Sequence, residues 1–227
     1  MSEPKERLIK KKEEWAREKR GLTPQAREEG VSVRHNPSAP SLEKPRLPPG
    51  QHIVKGFPVL DLGIQPEVPL EKWSLDVHGI VENPVTWDWQ DFMAQPQVSL
   101  VSDFHCVTTW STFDNRWEGV SFKHLLDVVR PKPEAKHVLF TSHDGYSTNV
   151  PLSVLNDADV LIAHRWNGQP LAREHGGPVR MVIPKRYAWK SAKWVKEMVF
   201  LAKDRPGFWE VRGYSNTADP WMEDRYS

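Results

Sequence analysis

Proline governs the first third of this chain. Pro37, Pro40, Pro45, Pro48, Pro49, Pro58, Pro66 and Pro69 all fall between Arg34 and Pro69. Each removes a backbone donor and pushes its predecessor out of the α region, so the stretch is not regular helix. Such a segment either wraps a folded body or stays loose. Phe57, Val59, Leu60 and Leu62 supply apolar anchors for wrapping, and we assign 31–72 that role. Residues 1–30 differ in kind. Lys10-Lys11-Lys12, Glu13-Glu14 and Arg17-Glu18-Lys19-Arg20 surround only a few apolar residues, among them Leu8, Ile9 and Trp15. Leu8 and Trp15 share a helix face, but the stripe is thin, so the expectation is a solvated helix or frayed tail.

The body begins near Trp73. Trp73, Leu75 and Val77 alternate with Ser74, Asp76 and His78, a strand pattern. Ser121 is placed to cap a helix whose face is Phe122, Leu125, Leu126 and Val129, stopped by Pro131. His137–Ser142, Asp159–Arg165 and Val179–Pro184 are short β-rich runs, and Asn167-Gly168 fits a tight hairpin turn. With 11 tryptophans against 4 tyrosines, large aromatic anchors in a loop-rich fold are expected. The fold class is α+β, with mixed sheets and short helices.

Charge and cysteine usage exclude several functions. Lys plus Arg is 31 and Asp plus Glu is 30, which gives no general electrostatic case for a nucleic-acid coat or membrane-surface binder. Cys106 is the sole cysteine, so neither an internal disulfide nor a Cys-rich zinc site is possible. The longest C-terminal apolar run, Met198–Ala202, is far short of a membrane span. The first thirty residues lack an apolar h-region, so the chain reads as cytoplasmic.

Three clusters carry chemistry. Cys106 lies in Asp103-Phe104-His105-Cys106-Val107-Thr108-Thr109-Trp110-Ser111, whose polar flanks are unlike those of a core strand. A thiolate there is a soft-metal ligand or a nucleophile, or else the thiol is a small buried hydrophobe. The nucleophile reading needs a histidine base in space: His105 points away if the segment is extended, which leaves His137, His143, His164 or His175. In His175-Gly176-Gly177-Pro178-Val179-Arg180, the glycines permit close backbone approach and His175 with Arg180 suits an anion. The bland alternative is a turn before a strand. Lys185, Arg186, Lys190, Lys193 and Lys196, interleaved with Tyr187, Trp189 and Trp194, suit a nucleic acid, a cofactor phosphate, or a solvated strand edge.

Together these clusters resemble one family. Cys106-Val107-Thr108-Thr109-Trp110-Ser111 is similar to the molybdenum-ligand segment of the sulfite oxidase superfamily, closest to its bacterial methionine-sulfoxide reductase branch. Gly145-Tyr146 through Pro151-Leu152, Asn167 to Leu171, His175-Gly176, Pro178-Val179-Arg180 and Lys193-Trp194 resemble sulfite oxidase in the same order. The ending Gly207-Phe208-Trp209-Glu210, Gly213-Tyr214 and Asp219-Pro220-Trp221 is similar to a soluble, single-domain bacterial subgroup. The resemblance implies an oxidoreductase molybdopterin-binding domain over 73–227, including a C-terminal extension.

It also implies a molybdenum-molybdopterin cofactor and two-electron oxygen-atom transfer on a small sulfur- or nitrogen-oxide substrate. Electrons would pass to or from a separate partner, with no nucleic acid and no membrane span involved. Cys106 is then the metal ligand and Tyr146 a substrate-orienting residue. Asn36, Ser142, His175, Arg180, Ser191, Ala192 and Lys193 are the implied cofactor contacts. Sulfite oxidase itself has arginines after its cysteine; here Val107, Thr108 and Thr109 follow, so sulfite does not carry over, and Arg116 is the local cation left to reach the site. A non-catalytic molybdopterin carrier and a nucleic-acid binder using Lys185–Lys196 are the rival expectations.

Overall fold

Alternating apolar and polar residues set the strand faces from Trp73 onward, and the structure is built on them. This computed structural model describes residues 3–19 and 45–227. In chain order the strands are β1 (His52–Ile53), β2 (Ser74–Gly79), β3 (Val85–Asp88), β4 (Gln97–His105), β5 (Trp110–Ser121), β6 (His137–Ser142), β7 (Ser147–Pro151), β8 (Leu161–Trp166), β9 (Gln169–Pro170), β10 (Arg180–Val182) and β11 (Val195–Leu201). The helices are α1 (Glu3–Lys19), α2 (Trp89–Ala94), α3 (Phe122–Val129) and α4 (Leu152–Leu155).

These strands form two mixed sheets. One runs β3-β2-β11-β6-β7, with β2 and β11 parallel and Val77 opposite Met198. The other runs β1-β5-β8-β10, with β4 added to β5 and β9 to β8. Leu75 and Val77 are fully buried beneath the first sheet, and Trp73 and Trp117 are among the largest buried side chains. The α+β class expected from the sequence is the one observed. Asn167 and Gly168 both have positive φ, as a two-residue I′-type turn requires, and join β8 to β9. Ser121 precedes α3 but makes no side-chain cap; the helix is held by Phe122, Leu125 and Val129, all buried, and ends on Arg130 in the left-handed region.

The proline-rich segment, described from Pro45 onward, lies against the body. His52 N–H donates to Thr109 O (2.8 Å) and Val54 N–H to Ser111 O (3.0 Å), so β1 runs along the start of β5. Phe57 then packs edge-on to Phe104, Trp110 and Trp117. The expected solvated or frayed N-terminal helix is corrected. Ile9 and Ala16 of α1 are buried, Trp15 meets Tyr226 edge-on at 5.7 Å, and Glu13 pairs with Arg212 at 2.8 Å. Residues 9, 12 and 16 share one face, and the aliphatic stem of Lys12 completes a stripe that the hydrophobic residues alone leave thin.

Candidate active site

Between β4 and β5 the chain must reverse in four residues, and Cys106 opens that reversal. Cys106 N–H donates to Trp110 O (2.9 Å) and Thr109 N–H to Cys106 O (3.0 Å), with Thr109 at φ 75°. Besides the bond from His52 N–H to Thr109 O, three outside contacts hold the turn and its exit. Gln51 Nε2 donates to Cys106 O (3.2 Å), Ser111 Oγ donates to Gln51 Oε1 (3.2 Å), and Arg225 Nη1 donates to Val107 O (2.7 Å). Thr108 Oγ1 lies 3.1 Å from the Cys106 sulfur. Burial pushes the thiol pKa up, against the hydrogen bond from Thr108 and the charges of Lys12 and Arg225. A metal at the sulfur would displace that proton.

Cys106 lines a cleft of about 890 Å³, counting its solvent-open mouth. Also in its wall are Tyr146, His175, Arg180, Ser191 and Lys193, six of the sequence-assigned site residues when Cys106 is included. Arg180 is 3% exposed. Its guanidinium donates to the carbonyls of Met181 (3.2 Å), His175 (2.8 Å) and Ser191 (3.3 Å), and lies over Phe104 at 5.0 Å and Phe57 at 5.4 Å. Among the described residues no carboxylate comes within ion-pair distance, and burial lowers its pKa to about 9. Lys193 Nζ donates to Glu174 O (2.9 Å) and lies 4.0 Å from Asp61; burial and the neighbouring Arg180 bring its pKa to about 8. The His175 ring stacks on Phe57, 4.6 Å between centroids and 7° from parallel, and burial lowers its pKa.

The other assigned residues are engaged within the protein or lie away from the cleft. Tyr146 is in the wall, but its hydroxyl donates to Trp189 O at 2.6 Å, and burial holds the phenol well above its usual pKa. Ser191 Oγ accepts from Ile183 N–H at 3.0 Å. Ser142 and Ala192 are buried outside the cleft wall; among the described residues Ser142 Oγ has no partner, and Ala192 O accepts from Met181 N–H. Asn36 lies outside the described residues. Arg116 is exposed and not in the wall. His105 turns the other way, its Nδ1 2.9 Å from Ser111 Oγ. Of the four histidines considered as a base, His175 is the one in the wall.

The Lys185–Lys196 strip is not a surface. Lys190 is 1% exposed, Lys185 pairs with Asp157, and the segment is loop and 3-10 turn up to Trp194, with Val195 and Lys196 opening β11, an inner strand of the first sheet. Sequence reasoning missed Lys12 and Asp61 in the wall, and Trp189 and Tyr214 as its aromatic lining. Phe57, Val59, Leu60 and Leu62, read as wrapping anchors, also line the wall.

A soft thiol and a cluster of buried cations sharing one cleft suit a group that is at once a metal carrier and an anion. Molybdopterin is such a group, and the wall fits it: Arg180 lacks a carboxylate partner and Gly176 brings the backbone against Lys193, where a Cβ would meet the Lys193 side chain at 2.8 Å. Fold and cleft define a molybdopterin-binding oxidoreductase.

The chain belongs to the family described as oxidoreductase molybdopterin binding domain, which matches residues 62–209. It is 40% identical over 183 residues to the uncharacterized oxidoreductase YuiH of Bacillus subtilis, covering 80% of this chain and 92% of that one. It is 26% identical to the protein-methionine-sulfoxide reductase catalytic subunit MsrP of Campylobacter jejuni, over 62% of this chain and 52% of the relative. Sulfane dehydrogenase SoxCD of Paracoccus pantotrophus shares the fold, with a TM-score of 0.56, 23% identity, and coverage of 61% of this chain and 40% of that one. The sulfite oxidase-like resemblance read from the sequence agrees with these findings. Among the described residues no helix is long and apolar enough to cross a membrane.

Proposed function

We propose that this protein catalyses two-electron oxygen-atom transfer on a small sulfur- or nitrogen-oxide substrate, with the Cys106 thiolate as a ligand of the cofactor molybdenum. The observation that supports it is one cleft joining Cys106 to the cationic wall of Arg180, His175 and Lys193. The likeness to a methionine-sulfoxide reductase catalytic subunit favours oxide chemistry, and a separate electron carrier, over other redox reactions.

Bound here, the cofactor supplies the redox change, in which an oxide loses its oxygen as water while two electrons and two protons are consumed, or the reverse. The protein's share is orientation. Arg180 and Lys193 would hold the cofactor phosphate, and an anion there would supply Arg180 with the counter-charge that its burial lacks and Lys193 with one beyond Asp61. Phe57 fixes the His175 ring by stacking. Trp189, Trp209 and Tyr214 exclude water from the aromatic side. Tyr146 orients substrate as a wall and as an acceptor, because its proton is committed to the Trp189 carbonyl.

The test is turnover of the molybdenum-loaded protein on sulfoxides, N-oxides and sulfite, with reduced or oxidised dye as the electron source or sink. Turnover on one class, lost in Cys106→Ser, is expected. Full molybdenum loading without turnover on any of them contradicts the proposal and favours a cofactor carrier.

A further inference from the structure

The turn that Cys106 opens brings no charged side chain of its own, since Val107, Thr108 and Thr109 follow the cysteine. A cation nevertheless reaches the cleft from a distant part of the chain. Lys12 of α1 lines the same wall as Cys106, Thr108 and Tyr146, with Nζ 5.1 Å from the ring centroid of Trp209. The helix is held in one rotation about its axis. Ile9 and Ala16, one turn to either side of Lys12, are buried; Glu13 pairs with Arg212, and Trp15 abuts Tyr226. Among the described residues no carboxylate lies within ion-pair distance of Lys12, and its charge acts on Cys106, Asp61 and Lys193.

The cleft wall therefore holds a further cation beside Arg180 and Lys193, with the Asp61 carboxylate acting on both lysines. Arg180 and Lys193 are tied to each other's loop through the carbonyls of His175, Ser191 and Glu174, which is a built seat for one anion. Lys12 is not tied into that seat, and it comes from residues outside the 62–209 family domain. A half-buried ammonium at the thiol end of a cleft, facing aromatic rings, recognises negative charge on whatever is presented there.

We propose that Lys12 is a specificity residue that reads a small oxyanion substrate, so that this enzyme takes negatively charged oxo compounds in preference to neutral oxides. The inference rests on the reading that Cys106 marks the reacting end of the cleft.

The experiment titrates the molybdenum-loaded full-length protein calorimetrically with nitrate and with dimethyl sulfoxide, probes that differ in charge. Parent, Lys12→Met and Lys12→Arg are compared, with circular dichroism and molybdenum content measured on each. The expected result is nitrate binding in the parent, weakened about ten-fold or more in Lys12→Met, as loss of a charge-assisted contact predicts. Lys12→Arg restores most of it, and the nitrate-to-sulfoxide preference falls in Lys12→Met. Equal nitrate affinity in parent and Lys12→Met overturns the proposal, as does absence of nitrate binding in the parent. A drop in molybdenum content in a folded Lys12→Met also overturns it, because Lys12 then serves the cofactor. Binding is read without turnover, so an inactive parent counts against the proposed reaction and not against the role of Lys12.

Discussion

Lys190 Nζ lies 2.7 Å from Glu210 Oε1 in the interior, with both side chains 1% exposed. Lys190 also donates to Asn149 O at 2.9 Å, while Glu210 Oε1 accepts from Thr148 Oγ1 at 2.8 Å and Trp189 Nε1 at 3.0 Å. The pair clamps together the two segments that bring Trp189 and Trp209 to the cleft.

A buried charge left without its partner costs far more than the pair contributes. Glu210→Gln, which leaves Lys190 uncompensated, is expected to lower stability by about 3–5 kcal/mol. The double variant Lys190→Met/Glu210→Gln removes the stranded charge and retains an acceptor for Thr148 and Trp189, so it is expected to be more stable than the single one. Urea unfolding of Lys190→Met, Glu210→Gln and the double variant checks this; a double variant as unstable as the sum of the two single changes would exclude the clamp.

Gly176 has φ +103°, and a Cβ added there would lie 2.8 Å from Lys193 Cβ and 3.0 Å from its Cγ. Gly176→Ala therefore combines left-handed backbone strain with displacement of a cleft cation. A stability loss of about 1–3 kcal/mol is expected, with lower molybdenum content in the purified protein. Unchanged values on both counts would mean that the close approach of the loop to Lys193 is not needed.

These two relationships show what the sequence does and does not reveal. Cys106 stood out because a lone cysteine among hydroxyl residues is locally odd, and Gly176 because paired glycines beside a histidine mark a backbone approach. The strands beginning at Trp73 and the turn at Asn167-Gly168 were legible from period-two alternation and turn chemistry. Lys190 and Glu210 are far apart in the chain and carry no mutual signal, so Lys190 read as part of a basic surface strip. Lys12 was hidden for another reason: its helix docks through Ile9, Ala16 and Trp15 on either side of it, and hydrophobic periodicity does not count a lysine among them. Tyr146 lies in the wall, but its hydroxyl donates to Trp189 O, 43 residues away, a partner that nothing in the sequence marks.

Lys193 gives a pH signature. Burial brings its pKa to about 8 from the ordinary 10.5, with Arg180 adding to the depression. Between those values the unfolded chain holds the proton and the folded chain does not, so raising pH through this window stabilises the cofactor-free fold. Going from about pH 7.5 to 9.5, this group is expected to add about 2 kcal/mol. Urea unfolding of cofactor-free parent and Lys193→Met at both pH values measures it. The gain shrinks by that amount in the variant, and an identical gain in both would show that Lys193 is solvated.

The central claim is that the Cys106 sulfur ligates molybdenum in this cleft, and X-ray absorption at the molybdenum edge tests it directly. Protein from a host able to make the cofactor is compared with Cys106→Ser, after circular dichroism has shown both to be folded. The account predicts one sulfur fewer around molybdenum in the variant than in the parent. The same sulfur shell in both proteins would contradict it.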